Sequence, residues 1–265
     1  DAHIEVKSNE CQVFASMFTT FMGLRKLRVL NLCLIETGRC TFSFPDSIGQ
    51  LKHLRYFGFM VPVLHKLTLP GAFTKLYHMQ VVDFGLCINL AFRCGEDMMN
   101  LVNLRCVISK ADLQLANIGR LILLQTLPFF RFRRERGYES HQLKDLNKLQ
   151  GKLLICGLEN FESKEEALEA NLAAKERLTD VRLEWDGDND TRCSPVGLEG
   201  LCPPVGLQKL AIRGYICSRY PDWMVGKQNG GPKDLQTLKF YGCGQLGPFF
   251  RKGGLPGLCI RTMHT

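Results

Sequence analysis

The sequence predicts an α/β fold, a curved solenoid of about ten irregular repeats whose parallel strands line its concave face. The main observation is a short leucine-spaced unit, seen in the stretch Leu101-Val-Asn-Leu-Arg-Cys-Val-Ile-Ser, that recurs from Leu24 to Ile260. The copies are 20 to 29 residues apart, and eight of the ten carry leucine or methionine three residues before an apolar-x-apolar pair. Because the units stay in register, residues 1–265 are predicted to form one elongated domain.

The apolar pair of each unit is predicted to be the buried side of a strand, because residues two apart point to the same face. The ten pairs are Leu30/Leu32, Phe57/Phe59, Val82/Phe84, Val107/Ser109, Leu127/Phe129, Leu153/Ile155, Val181/Leu183, Leu210/Ile212, Leu238/Phe240 and Leu258/Ile260. With the preceding leucine, they give the L-x-x-L-x-L pattern of a leucine-rich repeat, which must stack because one repeat cannot bury its own apolar face. Ser109 interrupts the pattern, so the strand at 107–109 is expected to be the weakest.

The connections between these strands are predicted to be short helical, turn and loop segments on the convex side. Residues 1–23 are assigned to a loosely ordered entry segment, and residues 128–142 and 186–204 to inter-repeat loops. Ser163 and Glu166 match the S-x-x-E pattern of a capping box, which predicts a long helix over 164–176.

The cysteines are expected to be mostly free thiols, because they are scattered and form no C-x-x-C or zinc-ligand spacing. Cys87 and Cys243 stand three positions after a strand pair, where a polar side chain can hydrogen-bond to the turning backbone. The acidic run from Asp186 resembles the start of a calcium loop, but Thr191 and Gly197 occupy positions that need glycine and glutamate. No metal site is predicted.

No catalytic motif is present in the sequence, which lacks the nucleophile elbow, the phosphate-binding loop and the H-E-x-x-H helix. The chain is therefore predicted not to be an enzyme. A cluster of arginines could bind phosphate or form a solvated loop, and the loop is the favoured interpretation: Arg131, Arg133, Arg134 and Arg136.

The net charge of +8 is unevenly distributed along the chain. Residues 151–200 carry 6 Lys/Arg against 12 Asp/Glu, whereas the segments on both sides are basic. This pattern favours a protein partner of matching charge over nucleic acid. No apolar run is long enough for membrane insertion. The sequence does not begin with methionine, which fits either a mature chain or a fragment of a larger protein, and a fragment is our expectation.

Several segments together resemble a known family. They are Phe44-Pro-Asp-Ser-Ile-Gly-Gln-Leu-Lys-His-Leu-Arg-Tyr, Leu124-Gln-Thr-Leu-Pro-Phe-Phe, Gln142-Leu-Lys-Asp-Leu-Asn-Lys-Leu-Gln-Gly-Lys-Leu-Leu-Ile-Cys-Gly-Leu-Glu-Asn, Lys164-Glu-Glu-Ala-Leu-Glu-Ala-Asn-Leu, Leu183-Glu-Trp and Ser218-Arg-Tyr-Pro-Asp-Trp-Met. Their order resembles the leucine-rich-repeat region of plant intracellular disease-resistance proteins, of the cereal coiled-coil nucleotide-binding type.

The resemblance implies the ligand-sensing and autoinhibitory part of an immune receptor in the cytoplasm or nucleus. Its partners would be a pathogen effector or a guarded host protein, and the receptor's own nucleotide-binding domain. ADP or ATP would bind only that domain, and no cofactor is expected in this chain. A generic interaction scaffold, either a ubiquitin-ligase adaptor or an extracellular receptor ectodomain, stays open as the alternative, although the chain lacks an F-box-like module and dense glycosylation sequons.

The predicted recognition surface consists of side chains that alternate with the buried pairs and so point out of the sheet. Aromatic and arginine side chains among them are of the kind that anchor interfaces. The candidate residues are Tyr56, Gln80, Asp83, Arg105, Arg182, Glu184, Trp185, Lys209, Arg213, Lys239 and Tyr241.

Overall fold

The computed structural model describes residues 2–6, 23–34, 40–60, 64–85, 90–92, 99–110, 112–113, 115–186, 195–225, 230–243 and 259–263. The chain divides into two compact units, Asp1–Pro128 (unit 1) and Phe129–Thr265 (unit 2). Each unit is built mainly from parallel strands joined by short helical turns. The assignment of residues 1–265 to one domain stays a prediction.

The described part of unit 1 contains two parallel sheets. Its strands are Ala2–Val6 (β1), Val29–Leu34 (β2), Cys40–Ser43 (β3), Tyr56–Met60 (β4), Leu64–Leu69 (β5), Val81–Phe84 (β6), Leu90–Phe92 (β7) and Cys106–Ser109 (β8). The main sheet has the order β1-β2-β4-β6-β8, and the second sheet has the order β3-β5-β7. The order follows the chain, as expected for a stack of similar units.

The predicted apolar pairs of unit 1 are confirmed as its core. One row of residues lies side by side in the register of the main sheet, and each member is at most 1% exposed: Leu30, Phe57, Val82 and Val107. Leu32 and Phe59 are also paired and fully buried. The L-x-x-L-x-L pattern therefore predicts both the strands and their buried face.

A repeated pair of backbone hydrogen bonds spaces the turns that precede these strands. The N–H groups of Arg55 and Tyr56 both donate to the carbonyl oxygen of Arg28, at 2.8 and 3.1 Å. The N–H groups of Gln80 and Val81 donate in the same way to the carbonyl oxygen of Arg55, at 2.7 and 2.9 Å. Successive turns are therefore held about one strand spacing apart, about 4.8 Å.

The second sheet of unit 1 was not predicted, because only helix, turn and loop were expected outside the main sheet. Aromatic packing accounts for it. The ring of Phe42 in β3 lies 5.3 Å from that of Phe59, and Phe44 packs edge-on against Phe57 at 5.3 Å. These two phenylalanines are nearly buried, so β3 is held against the main sheet by apolar contacts.

Two further predictions for unit 1 differ from the structure. The strand at 107–109 is well formed and pairs with β6 along four residues, because buried Leu104 and Val107 anchor it. The entry segment 1–23 contains β1, which pairs with β2 from Ala2 to Val6. Residues 7–22 lie outside the described residues.

Unit 2 has a single described sheet of parallel strands, in the order β14-β13-β12-β11-β10-β9. The strands are Phe129–Arg131 (β9), Gln150–Cys156 (β10), Arg177–Glu184 (β11), Lys209–Arg213 (β12), Thr237–Tyr241 (β13) and Cys259–Met263 (β14). Two rows of predicted residues lie side by side, and each member is at most 5% exposed: Leu153, Val181, Leu210 and Leu238, then Ile155, Leu183, Ile212 and Phe240.

The predicted pair Leu127/Phe129 is half right: Leu127 is a core residue at 2% exposure, whereas Phe129 is only half-buried. Phe130 and Phe132 are the buried residues at β9, at 4% and 1% exposure, and Phe130 pairs with Ile155. Pro128 has no N–H to donate to a ladder, so the strand begins after it and the alternation shifts by one residue. Of the last predicted pair, Leu258 and the side chain of Ile260 lie outside the described residues, and the backbone of Ile260 pairs with Leu238.

Short helical segments connect the strands. The described 3-10 helices are Asp46–Gln50, Gly71–Lys75, Ile118–Arg120, Ser140–Leu143, Leu158–Asn160 and Leu172–Ala174. The described α-helices are Lys164–Leu168 (α1), Val196–Gly200 (α2) and Asp222–Val225 (α3). The segment 128–142, assigned to a loop from sequence, thus includes β9 and most of a 3-10 helix, and the segment 186–204 includes α2.

The long helix predicted over 164–176 is wrong, although its start is right. The hydroxyl of Ser163 accepts a hydrogen bond from the N–H of Glu166 at 3.1 Å, as a capping box requires. The carboxylate of Glu166 accepts from the N–H of Glu162 at 2.9 Å, one residue earlier than expected. Helix α1 ends at Leu168, and Asn171 has the left-handed conformation (φ 47°) that stops an α-helix.

The described cysteines are mostly thiols. Cys33, Cys106, Cys156, Cys202 and Cys243 are free, whereas Cys217 is disulfide-bonded. The thiol of Cys243 donates to the carbonyl oxygens of Ile212, at 3.6 Å, and of Tyr241, at 3.3 Å, which confirms its predicted contact with the backbone. Cys87, predicted to do the same, lies outside the described residues.

Lys175 is a fully buried cation at the end of the 3-10 turn after Asn171. Its ammonium group donates to the carbonyl oxygen of Asn171 at 3.1 Å. Burial lowers the pKa of Lys175 from 10.5 to about 8, against the smaller opposing attraction of Asp145. The protonated side chain therefore disfavours the folded state.

We expect the stability of the protein to rise with pH because of Lys175. Below about pH 8 the side chain is protonated in both states; between about 8 and 10.5 only the unfolded state retains the proton, which favours folding as pH rises. The slope is at most about 1.4 kcal/mol per pH unit. Urea unfolding of the wild type and of Lys175→Met should show this rise as a difference between the two proteins. A pH-independent difference would contradict the assignment.

Candidate partner-binding surface

The outward side of β11, β12 and β13 brings most of the predicted residues of unit 2 together. Arg182, Ala211 and Lys239 lie side by side in the register, and Glu184, Arg213 and Tyr241 form the next row. Neighbouring strands are about 4.8 Å apart, so each row spans about 10 Å. We call these two rows, with Lys209, the outward face of unit 2.

The outward face of unit 2 carries four basic side chains and one acidic side chain, Glu184. Arg182, Lys209 and Arg213 are exposed, and Lys239 is half-buried. Arg182 lies 3.7 Å from the Glu184 carboxylate. Among the described residues, Lys209, Arg213 and Lys239 make no ion pair. The surface can therefore offer three cations to an acidic partner.

Ala211 and Tyr241 shape the same surface. Ala211 lies between Arg182 and Lys239 in the register and is 7% exposed, so a small side chain separates two long ones. Tyr241 is half-buried at the end of β13, next to Arg213. An aromatic ring beside arginine is a common composition for the centre of a protein interface.

Trp185 has a packing role that the sequence analysis did not predict. Its backbone N–H donates to the carbonyl oxygen of Arg213 at 3.0 Å, and its ring lies 5.1 Å from that of Tyr215. The hydroxyl of Tyr215 donates to the carbonyl oxygen of Arg219 at 2.6 Å, and burial is the main cause that raises the pKa of Tyr215 to about 12. Trp185 thus covers a buried tyrosine and is not free of packing contacts.

The predicted residues of unit 1 form a smaller group. The hydroxyl of Tyr56 donates to the Asp83 carboxylate at 3.2 Å, and Asp83 also accepts from the N–H of Gly85 at 2.9 Å. Burial, then the charge of Asp83, raises the pKa of Tyr56. Gln80 and Arg105 precede their strands and belong to the turn ladder through their backbones. The aspartate is therefore already satisfied within the unit.

Arginines of the cluster form ion pairs with acidic side chains of unit 2. Arg131 forms an ion pair with Asp186, and Arg134 lies 3.0 Å from Glu162. Arg133 lies over the ring of Tyr138, 5.1 Å from its centre. These contacts weaken the phosphate-patch interpretation. The partnership of Arg131 with Asp186 was missed, although both residues lie at the carboxyl ends of strands in one parallel sheet, which is the signal that could have predicted it.

Three potential metal ligands meet near this ion pair. The Cys156 thiol and the carboxylates of Glu184 and Asp186 have ligand atoms within 4.8 Å of one another. Arg131 already supplies a positive charge to Asp186. Cys156 is buried, and its thiol contacts the Glu184 carboxylate at 3.9 Å. The negative charge of this cluster is therefore balanced, at least at Asp186, by Arg131 of the same unit.

The fold and the surface define a leucine-rich-repeat module of the α/β class. Residues 140–262 match the family described as R13L1/DRL21 LRRs. The chain is 35% identical over 151 residues, 56% of its length, to the putative disease resistance protein RGA1 of Solanum bulbocastanum. It is 33% identical over 149 residues, 55% of its length, to disease resistance protein RGA2 of the same species, and 34% identical over 116 residues, 43% of its length, to the putative disease resistance RPP13-like protein 3 of Arabidopsis thaliana.

The matched region covers 15% of the length of each of the two Solanum proteins and 13% of the Arabidopsis protein. Residues 140–262 therefore match a leucine-rich-repeat family, and the similar curated proteins are plant disease-resistance proteins. Repeats of this kind generally serve as protein-interaction modules. No helix within the described residues has the length and apolar character needed to cross a bilayer.

We expect substitution of an outward residue that packs on the core to lower stability more than substitution of an outward residue that is exposed to solvent. Trp185→Ala should lower the free energy of unfolding by about 2 kcal/mol, because the indole ring packs on Tyr215. Arg213→Ala, on an exposed side chain, should change it by no more than about 0.5 kcal/mol. Urea denaturation followed by circular dichroism measures both values. Equal effects of the two substitutions would show that Trp185 does not have this packing role.

Proposed function

We propose that this chain is the ligand-sensing and autoinhibitory repeat domain of an intracellular plant immune receptor. It recognises a pathogen effector, or a host protein that an effector modifies, and so triggers defence and the hypersensitive response. Its repeats form a curved solenoid with the strands on the concave side. The similarity to plant disease-resistance proteins and the outward face of unit 2 support this proposal.

The proposal rests on the alternation of buried and exposed side chains along each strand. Val181 and Leu183 are fully buried, whereas Arg182 between them is exposed. The same alternation places Lys209 and Arg213 in solvent beside buried Leu210 and Ile212. Exposed residues of this kind can change with little loss of stability, so specificity can evolve on them.

The domain acts by binding and not by catalysis in this proposal. The nucleotide-binding domain of the receptor, which would hold ADP or ATP, is a second partner that the repeats restrain until recognition. Binding of an acidic partner to Arg182, Arg213 and Lys239 would compete with this restraint if the two partners use overlapping surfaces. The receptor would act in the cytoplasm, with the nucleus as the alternative location.

Charge reversal on the outward face of unit 2 tests the proposal. In the full-length receptor, the combined substitutions Arg182→Glu, Arg213→Glu and Lys239→Glu should abolish the cell-death response to the recognised pathogen, because repulsion replaces attraction at adjacent positions. The protein level, measured by immunoblot, should not change. A constitutively active receptor variant carrying the triple substitution should still cause cell death, which shows that signalling is intact.

A matched control variant distinguishes an effect of where the reversed charges lie from an effect of reversing any three charges. Lys144→Glu, Lys148→Glu and Lys233→Glu reverse the same number of charges at exposed positions of unit 2 outside its strands. This control should respond like the wild type. A normal response of the Arg182/Arg213/Lys239 variant, or an equal loss in the control, would exclude the outward face of unit 2 as the recognition site.

Substitution of the buried strand residues next to these cations should reduce the amount of folded protein and not only the response to the pathogen. Leu183→Asp and Leu210→Asp place a carboxylate at positions that are 0% and 1% exposed. An unpaired buried charge costs several kcal/mol, so we expect either variant to unfold and to disappear from immunoblots. Leu183→Met, which keeps an apolar side chain of similar volume, should accumulate normally. Normal levels of the two aspartate variants would contradict the assigned core.

A further inference from the structure

One edge of the main sheet of unit 1 is strongly basic. It is formed by the turns before β2, β4, β6 and β8 and by the turn before the bridge between Cys106 and Thr126. These turns, residues 23–28, 50–55, 75–80, 99–105 and 119–125, contain no aspartate or glutamate. We call them the basic edge. They contain eight basic residues: Arg25, Lys26, Arg28, Lys52, Arg55, Lys75, Arg105 and Arg120.

The same turns expose large apolar side chains. Leu24 is 48% exposed, Tyr77 47%, Val102 48% and Ile122 55%. Tyr77, Val102 and Ile122 each follow a fully buried leucine and are additional to the residues needed for the core, whereas Leu24 occupies that leucine position itself. Exposed apolar side chains grouped along one edge indicate an interaction surface more than chance exposure does.

The arrangement of the basic edge is fixed by contacts between neighbouring turns. The Lys52 ammonium group donates to the carbonyl oxygen of Lys75 at 3.3 Å, and the Asn103 amide donates to that of Tyr77 at 2.8 Å. With the paired backbone bonds of the turn ladder, these contacts keep equivalent residues in a row with a spacing of about 4.8 Å. The charged and the exposed apolar side chains of successive turns therefore lie along the same edge.

The basic edge differs from the corresponding turns of unit 2. Among the described residues, no lysine or arginine of the basic edge makes an ion pair. The turns before β10, β11 and β13 in unit 2 contain Asp145, Glu176 and Asp234 beside their basic residues. The turn before β12, residues 204–208, also lacks acidic residues, so what distinguishes unit 1 is their absence from five successive turns.

We propose that the basic edge binds the surface of an anionic lipid bilayer. A continuous row of cations suits an extended, negatively charged surface, and each lysine or arginine near such a surface adds attraction. Val102, Ile122 and Tyr77 would enter the interfacial layer, where apolar and aromatic side chains are stabilised. A protein surface usually carries charges of both signs, whereas five successive turns without an acidic residue suit a surface that is negative throughout. Bilayer binding therefore accounts for both features of the edge.

The test is cosedimentation of this chain with phosphatidylcholine vesicles that contain or lack phosphatidylserine. We expect binding only when phosphatidylserine is present, and weaker binding as salt is added. Replacing Arg25, Lys26, Arg55 and Arg105 together with glutamine should reduce binding by about tenfold or more. The matched control replaces Lys144, Lys148, Lys152 and Lys233 with glutamine, which removes the same charge from exposed positions of unit 2, and should bind within about threefold of the wild type.

A second variant distinguishes a bilayer from a soluble polyanion. Val102→Ser with Ile122→Ser keeps every charge and should reduce vesicle binding by about threefold or more, while binding to poly-glutamate stays unchanged. Circular dichroism melts check that the variants are folded. The proposal is overturned if the chain does not bind the phosphatidylserine vesicles or if the two glutamine variants lose binding equally. It is also overturned if the serine variant binds vesicles like the wild type, because an acidic protein surface would then explain the charge dependence.

Discussion

The structure depends on one constraint, which is that a single repeat cannot bury its own apolar face. Each strand contributes two alternate apolar residues, and these become buried only where the next strand places its own pair beside them, as Leu210 does for Val181 and Leu238. Parallel pairing and paired backbone bonds between successive turns keep this alignment. Burial of the apolar pairs and repetition of the backbone contacts therefore support each other.

The same constraint leaves the side chains between the buried pairs free of the core. These outward side chains differ in how far they are exposed to solvent. Arg182 and Arg213 are exposed and can contact a partner, whereas Trp185 covers Tyr215 and contributes to packing. Tyr56 and Asp83 satisfy each other within unit 1. The outward positions thus range from purely solvated to structural, and a recognition surface is better inferred from exposure and unpaired charge than from strand position alone.

The sequence predicted the buried pairs well because their two-residue alternation follows directly from strand geometry. It predicted less where tertiary contacts override local pattern. The Phe42 strand forms because its ring packs against Phe59, and Phe130 replaces Phe129 in the core because Pro128 delays the strand. The helix from Lys164 is short because Asn171 is left-handed. Asparagine is one of the few residues that adopt this conformation readily, so Asn171 is a local stop signal that the apolar spacing obscures.

The most direct test of the account is a measurement of lysine accessibility in the full-length receptor with its bound partner. Acetylation rates, determined residue by residue by mass spectrometry, compare the free and the bound receptor. We predict that Lys209 and Lys239, on the outward face of unit 2, become protected, whereas Lys148 and Lys233, outside its strands, keep their free rates. Protection of Lys148 and Lys233 with unchanged rates at Lys209 and Lys239 would contradict the account.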